Sequence, residues 1–302
     1  MAGFNLPPDF QITFHQDFIE VEAQQTEHRL RGMYKTEMVE GESLRLSLIG
    51  AQSYAMQAKS ARYAPSEPTD IPLPIRWVTP APFDKVTWID EDDALLLGTL
   101  GDPQGAVVRN HAIAVNRLKD QTIINGLVGV NFTGANRGTS TTLLTTNQLG
   151  VNFGSGAANS GLTLAKITQM SYLMDAADVS NEGRVLIVAA KQINDLLTNV
   201  DQVNNVMYND VRALHEGTVT NFMGFKVIRT QLLPFVGTST TLRTIIAYQI
   251  NSCYLGMGKD IRTYVDIIPQ QSHTLQIRTK LNIGATRSEE LPIVTAVCDE
   301  TL

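Results

Sequence analysis

The residues of this sequence that could do chemistry are few and scattered. Its five histidines stand far apart. They are His15, His28, His111, His215 and His273. Zinc sites need ligands at short, characteristic spacings, and the sequence contains neither HExxH nor CxxC. It also lacks the GxSxG turn that presents a catalytic serine. We therefore predict no metal site, and we predict that the histidines serve packing or capping.

Two other patterns have both a chemical and a structural interpretation. The acidic run at residues 90–93 could supply carboxylates for acid–base chemistry or for a cation. Such a run is more often a solvated turn or the start of a helix, where the macrodipole favours negative charge. The glycine-rich stretches at residues 134–140 and 154–161 lack the lysine and spacing of nucleotide-binding loops. We predict turns there, no catalytic residue and no cofactor.

Composition limits the classes of protein that fit. The chain has 302 residues, 43% of them hydrophobic and 18% charged, which suits a folded protein with a sizeable core. The net charge of -6 argues against a basic nucleic-acid-binding surface. Cys253 and Cys298 lie in apolar runs and are predicted to be buried free thiols of a reducing compartment. No secretory signal and no apolar run of about 18 residues is present, which predicts a soluble cytoplasmic protein.

The element that organises the chain is a predicted helix from Asp102 to Val128. Asp102 suits the N-cap and Pro103 the first helical position. A helix of roughly 25 residues is about 38 Å long. An apolar stripe at helical spacing is predicted for Val107, Val108, Ala112, Ala114, Val115 and Leu118. Arg109, Asn116, Arg117 and Lys119 fall mostly off that stripe.

Before this helix lie a predicted arm and a predicted loop. The arm, residues 1–40, contains an extended proline pair and a short amphipathic helix through His28. Alternating residues predict a strand at 42–49, and a second strand-like run covers 75–89. About 25 residues rich in Ala, Ser, Gln and Pro separate them, an unusual length for a loop in a compact domain. They form either a surface loop or a two-stranded projection that packs on something outside the subunit.

After the helix, strands and helices are mixed without regular alternation, which favours an α+β fold. Helices are predicted at residues 163–178, 191–199 and 208–215, and strands at 184–189, 225–228, 245–254, 262–268, 273–284 and 292–298.

Several segments together resemble the major capsid proteins of tailed bacteriophages, which share the Hong Kong 97-like fold. The similarity runs from about Ile75 to the C-terminus. It rests on the joint order of IRWVTPAPFDKVTWID (75–90), the long helix ending KDQTIINGLVG (119–129), the helix–turn–strand segment 162–197, GFKVIRTQLLP (224–234), and the segments 247–269 and 282–300.

The resemblance implies a domain organisation. Residues 1–40 would be the N-terminal arm, and residues 41–90 the extended loop that lies over a neighbouring subunit. Residues 91–160 and 271–302 would form the peripheral domain, with a spine helix at about 103–128. Residues 161–270 would form the axial domain around the capsomer axes.

The resemblance also implies a structural function and a set of partners. Copies would assemble as hexamers and pentamers into an icosahedral shell that encloses double-stranded DNA, which it contacts non-specifically. A portal protein would occupy one vertex. Because the arm is too short for a built-in scaffold, any scaffolding protein would be separate, and decoration proteins are possible partners. The protein would reside in the virion, after assembly in the host cytoplasm.

The same resemblance suggests residues for contacts between subunits. They are Lys59, Arg62, Arg109, Asn116, Arg117 and Lys119. Some family members cross-link a loop lysine to a neighbour's asparagine, but no acidic catalyst stands beside Lys59, so we predict no cross-link. Three other interpretations remain: an encapsulin shell that houses an enzyme, an enzyme whose site lacks a recognisable motif, and a tail-tube or portal protein.

Overall fold

The computed structural model describes residues 28–49, 61–63, 73–89, 104–156, 158–199, 221–271 and 273–301. The chain divides into two compact units. The first unit contains Pro82–Leu118 and Asp260–Asn282, and the second contains His28–Ala81, Lys119–Lys259 and Ile283–Leu302.

The described residues form helices and strands in a mixed order, so the predicted α+β class is confirmed. The helices are α1 Gln104–Val128, α2 Leu164–Ala176 and α3 Ala190–Asn199. The strands are β1 Lys35–Met38, β2 Leu44–Ser47, β3 Ile75–Val78, β4 Ala81–Ile89, β5 Asn131–Thr133, β6 Thr139–Thr141, β7 Gln148–Leu149, β8 Arg184–Val188, β9 Asn221–Phe222, β10 Phe225–Arg229, β11 Leu242–Gln249, β12 Cys253–Ile268, β13 Thr274–Arg287 and β14 Ile293–Asp299.

The core of the second unit is a six-stranded sheet in the order β7-β14-β11-β8-β10-β9. All five residues of β8 are buried, as its unbroken apolar run predicts. It pairs parallel to β10 and antiparallel to β11. Helix α2 packs against β14 and adds Ile167, Met170 and Met174 to the core. Thr163 caps α2 as predicted, because its side chain accepts from the Lys166 N–H.

Two smaller sheets complete the topology, in the orders β2-β3-β5-β6 and β1-β12-β13-β4. The predicted run 75–89 forms two strands, β3 and β4, with Thr79 and Pro80 between them. Proline has no N–H for a sheet ladder, so it suits that break.

The prediction of separate strands at 245–254 and 262–268 is wrong at their junction. The chain forms β11 and then one strand of 16 residues, β12, which includes residues 255–261 that the prediction left outside any strand. At Gly256 a Cβ would lie 2.5 Å from Val78 Cγ1 and 2.9 Å from Val39 Cγ2. The glycine is therefore required by close packing inside a strand, not by a turn.

Helix α1 confirms the predicted helix and its end at Val128, whereas its predicted cap, Asp102 and Pro103, lies outside the described residues. The predicted stripe is only partly correct. Val115 is buried, but Val108 is 39% exposed, and two polar residues, His111 and Asp120, are buried instead. Both side chains can be buried because they make hydrogen bonds to segments that are distant in the sequence. The spacing of apolar residues along one helix carries no information about such partners.

Both cysteines are free and buried, as predicted. The predicted helix 208–215, the acidic run 90–93 and the arm up to residue 27 lie outside the described residues. Within the described ranges, no helix has both the length and the apolarity needed to cross a membrane.

Candidate functional site

The base of the predicted extended loop is a pair of antiparallel strands. In β2 and β3, Leu44 lies opposite Val78 and Ser47 opposite Ile75. The Leu48 N–H donates to the Pro74 carbonyl at 2.9 Å, which extends the pairing by one step. The two ends of the intervening segment are thus held side by side. Of that segment the structure describes only residues 61–63 beyond the immediate flanks.

A nearly buried ionic cluster anchors this base to the end of the chain. Arg76 of β3 is 8% exposed and places Nη2 2.6 Å from Glu290 Oε1. Its Nε donates to the Ser288 carbonyl at 2.8 Å. Both carboxylate oxygens of Glu290 lie near this one nitrogen, and such charge-assisted contacts are stronger than neutral hydrogen bonds. The loop base is therefore locked onto the turn that joins β13 to β14.

Arg287 extends the same cluster to the end of α1. Its side chain is fully buried and donates to the carbonyls of Thr141 at 2.8 Å, of Leu127 at 3.2 Å and of Gly129. The Leu127 carbonyl lies in the last turn of α1, where helices favour positive charge. Burial lowers the pKa of the guanidinium, and Glu290, with Oε1 3.6 Å from Arg287 Nε, opposes that shift.

A second cluster ties residues 28–34, in the last part of the predicted arm, to α1. Asp120 is 1% exposed and accepts from the Arg29 N–H at 3.0 Å and the Leu30 N–H at 3.2 Å. Its Oδ1 also lies 2.6 Å from His28 Nδ1, while His28 Nε2 lies 2.7 Å from the Tyr34 hydroxyl. Burial and, next, the Asp120 charge raise the Tyr34 pKa, so this hydroxyl stays protonated. An acid–histidine–hydroxyl series is present, but it is an anchor rather than an activated nucleophile.

Lys166 of α2 is a third buried cation. It is completely buried, and its Nζ donates to the carbonyls of Ser160, Gly161 and Val297 at 2.9 Å and of Val151 at 3.0 Å. Burial lowers its pKa, opposed by nearby acidic groups. With four carbonyl partners the ammonium joins α2, β14 and two loops, which is a structural role.

In the first unit, His111 of α1 lies beside a cavity of about 300 Å³. Its Nε2 is 2.8 Å from Thr87 Oγ1 and its Nδ1 is 3.0 Å from Thr279 Oγ1. Burial first, and Lys85 second, lower its pKa, which keeps the ring neutral near pH 7. The cavity is lined by Phe83, Asp84, Lys85, His111, Ala114, Val115, Leu118, Thr279 and Leu281. This lining is largely apolar and presents no cysteine or serine nucleophile.

The described residues offer no metal centre, since no three His, Cys, Asp or Glu side chains among them converge on one point. Arg76, Arg287, Lys166 and His111 all contact carbonyls, hydroxyls or carboxylates of their own chain, although Arg287 Nε makes no hydrogen bond. The exposed surface of the described residues is formed largely by strands and by the long helix α1.

The predicted contact residues are spread over the molecule. Arg62 is exposed, with its guanidinium 5.2 Å from the centre of the Tyr63 ring, which is 83% exposed. On α1, Arg109 is exposed and Asn116, Arg117 and Lys119 are half-buried. Lys59 lies outside the described residues.

Within α1 these residues do not form one cluster. Arg109 and Asn116 are about two turns apart and share a face, whereas Arg117 and Lys119 lie to either side of it. Arg109 and Arg117 each have an interaction within the chain.

The sequence interpretation missed several exposed apolar side chains on strands of the first unit. Trp88 of β4 is 54% exposed, and Ile267 and Val265 of β12 are 61% and 49% exposed. Tyr264, on the opposite face of β12, is 41% exposed. Because the prediction placed residues 255–261 outside strands, it did not recognise the length of β12.

Comparison with known proteins gives one family and a consistent fold. A family model described as phage capsid protein matches residues 6–300. A search of curated proteins finds no significant match.

Solved structures from phages and from an encapsulin complex are similar to this chain. The capsid structure of cyanophage P-SCSP1u matches with a TM-score of 0.74 at 12% identity, covering 96% of this chain and 93% of that chain. A structure from Mycobacterium phage Che8 matches with a TM-score of 0.70 at 17% identity, covering 100% and 99%. The holo-SrpI encapsulin complex from Synechococcus elongatus matches with a TM-score of 0.62 at 9% identity, covering 97% and 95%.

Proposed function

The chain belongs to the phage capsid protein family and is a capsid shell protein, and from this premise we propose that its copies assemble as hexamers and pentamers into an icosahedral head around double-stranded DNA. The observation that carries the proposal is the family match, which runs from residue 6 to residue 300.

The physical properties of the chain support a container rather than a DNA-gripping protein. Its net charge of -6 disfavours tight adhesion to a polyanion. Packaged DNA would then touch the inner wall non-specifically and remain free to move during packaging and ejection.

We propose that the extended loop, residues 41–90, carries the contact to a neighbouring subunit. The ionic cluster at its base supports this, because the contacts among Arg76, Glu290 and Arg287 anchor the paired loop strands to the turn between β13 and β14. Lys59 and Arg62 of the loop, and Arg109, Asn116, Arg117 and Lys119 of α1, are the proposed contact residues. Residues 1–40 act as the arm in this proposal, and His28 and Asp120 anchor the point where it leaves the body.

The division into a peripheral domain (91–160 and 271–302) and an axial domain (161–270) is part of the same proposal. So are its partners, which are a portal protein at one vertex, separate scaffolding and decoration proteins where the phage encodes them, and the DNA. Assembly takes place in the host cytoplasm, and the product is the virion shell.

We propose that the protein is not an enzyme. The polar groups with perturbed pKa values support this, because Lys166, Arg287 and His111 all have hydrogen-bond partners from their own chain. Activity of the purified protein on a small-molecule substrate would overturn this part of the proposal.

Electron microscopy of the purified full-length protein tests the central claim. Closed shells, or rings of five and six subunits, are the expected result. A dispersed monomer at high concentration, with or without the scaffolding protein of the same phage, contradicts it.

An encapsulin-type compartment is the second candidate, because the chain also shares its fold with an encapsulin shell at a TM-score of 0.62. The two functions differ in cargo. Shells purified from the phage-infected host should contain DNA if the protein is a phage head, and a folded enzyme if it is an encapsulin.

A further inference from the structure

The outer part of β12 is an exposed strand at the edge of its sheet. In the order β1-β12-β13-β4, β1 pairs with β12 only from Tyr254 to Met257. Beyond that point no strand among the described residues continues along the same side, and every residue from Lys259 to Ile267 is exposed. An open edge presents unpaired backbone N–H and C=O groups, which proteins normally cover or protect.

The two faces of this strand differ in chemistry. Thr263 Oγ1 lies 3.3 Å from Thr279 Oγ1, which in turn contacts His111 of α1. Odd-numbered positions therefore face the helix side of the sheet, and even-numbered positions face the other side. The helix side carries Ile261, Val265 and Ile267, which are 41%, 49% and 61% exposed. The opposite side carries Arg262, Tyr264 and Asp266, all exposed.

This strand is complementary to itself in one antiparallel register. When Tyr264 lies opposite Tyr264 of the partner subunit, Arg262 lies opposite Asp266 of the partner subunit, and symmetry repeats that ion pair. On the helix side, Ile261 then lies opposite Ile267 of the partner subunit. Opposite charges and β-branched residues directly across a strand pair are favourable.

Neighbouring registers lack this match. A shift of the centre to Thr263 places Asp260 opposite Asp266 of the partner subunit, a repulsive contact. A shift to Val265 places Arg262 opposite Ile268 of the partner subunit, which leaves the charge without its acid. Register in a sheet is set by such patterns, since the side-chain period is two.

Resting on the proposed shell function, we propose that the β12 edges of two copies pair antiparallel across a two-fold axis, centred on Tyr264, and join two sheets into one. The contact is isologous, so the same strand serves both copies. Backbone hydrogen bonds supply the adhesion, and side chains select the register. The strand that pairs with this edge comes from a second copy of the chain, because Arg262 and Asp266 are placed symmetrically about Tyr264. Pairing with an unrelated strand would not require that symmetry.

Charge reversal tests the pairing. Arg262→Asp sets two acids opposite each other, and Asp266→Arg sets two arginines opposite each other. The double variant Arg262→Asp/Asp266→Arg restores both ion pairs with reversed polarity. We expect shell yield, measured by sedimentation and electron microscopy, to fall at least about tenfold in each single variant, because the lattice repeats the contact many times. The double variant should recover to within about twofold of the original yield, as expected for coupled residues.

Lys259→Glu is the matched control. It changes the charge of an exposed residue on the same strand, but in this register Lys259 lies opposite Pro269 of the partner subunit and has no ionic partner. Its shell yield should stay within about twofold of the original, since surface substitutions without a defined contact have small effects.

A cysteine at the self-opposed position tests the geometry directly. Tyr264→Cys brings two thiols across the axis and should give a covalent dimer when shells are mildly oxidised. Val265→Cys does not, because its two copies are two residues apart along the strands as well as on different strands, which separates their Cα atoms by about 8 Å, beyond the span of about 7 Å that a disulfide bridges. The native thiols are buried and should not contribute.

The outcomes separate this proposal from the proposed function. If the unaltered protein forms no shell or capsomer, the capsid proposal itself fails. If it forms shells, and the single charge variants assemble as well as the double variant while Tyr264→Cys gives no dimer, the edge pairing is overturned and the capsid function stands.

Discussion

At the scale of single residues, the chain uses its buried charges to connect distant segments. Lys166 joins α2 to β14, Arg287 joins β13 to the end of α1, and Asp120 holds the Arg29 and Leu30 amides on α1. Each buried charge is surrounded by groups of its own chain, which offsets the cost of removing it from water. These contacts stabilise the subunit.

Lys166→Met should destabilise the unassembled subunit by about 3–5 kcal/mol, since it leaves four inward-facing carbonyls without their donor. Urea denaturation followed by circular dichroism measures the change. Lys226→Met, at an exposed position of β10, is the matched control and should cost less than about 1 kcal/mol. Equal midpoints for the two variants would show that the Lys166 contacts contribute little.

The cysteine thiols should be unreactive in the folded subunit. Burial raises the pKa of Cys253 and of Cys298 to about 12, well above the usual range of a thiol. Because the thiolate is the reactive form, a thiol reagent at pH 8 should label neither cysteine in the native protein and both in urea. Rapid labelling without denaturant would contradict the burial.

The same shift gives a direction for alkaline stability. A folded pKa above the unfolded value means that the unfolded chain releases these protons first as pH rises. The two thiols should therefore lower the free energy of unfolding progressively between about pH 9 and pH 12. Replacing Cys298 with Ala should reduce this alkaline slope when urea midpoints are compared across that range.

At the scale of elements, β12 shows how one glycine allows a strand to pass through a crowded region. Val78 and Val39 approach Gly256 so closely that no side chain fits between them. The strand can then continue for 16 residues and present its outer part as a free edge. The proposed pairing of subunits depends on this continuity.

Gly256→Ala should destabilise the subunit by about 1–3 kcal/mol, because the added methyl group overlaps two valines. Gly138→Ala is the control, since nothing lies within 4 Å of its Cβ position. Urea unfolding of both variants makes the comparison. A Gly256→Ala protein as stable as the control would mean that the strand shifts at no cost.

At the scale of the whole molecule, α1 and the extended loop supply the proposed contacts between subunits. The double variant Arg109→Glu/Arg117→Glu should reduce shell yield at least about tenfold while the subunit stays folded, because reversed charge is repeated at every copy of the contact. Circular dichroism tests whether the variant subunit is folded, and sedimentation measures the yield of shells. Lys226→Glu, also an exposed charge reversal, should leave assembly unchanged. Normal shells from the double variant would remove α1 from the list of contact surfaces.

Local patterns in the sequence were sufficient for much of the architecture. The α+β class, α1 and its end at Val128, the N-cap at Thr163, the buried β8 and the two buried thiols all follow from periodicity, capping and composition. The resemblance to tailed-phage capsid proteins, which the family match over residues 6–300 confirms, also came from the order of segments.

Only the tertiary structure decided which charged residues are buried and which apolar residues are exposed. Arg76 meets the Ser288 carbonyl across 212 residues of sequence, and His28 meets Asp120 across 92. No local period encodes such encounters, since they depend on which distant segments the fold brings together. The sequence alone contains few residues with a recognisable chemical role. In the structure, the described residues of this kind contact distant segments of their own chain and stabilise the shell subunit.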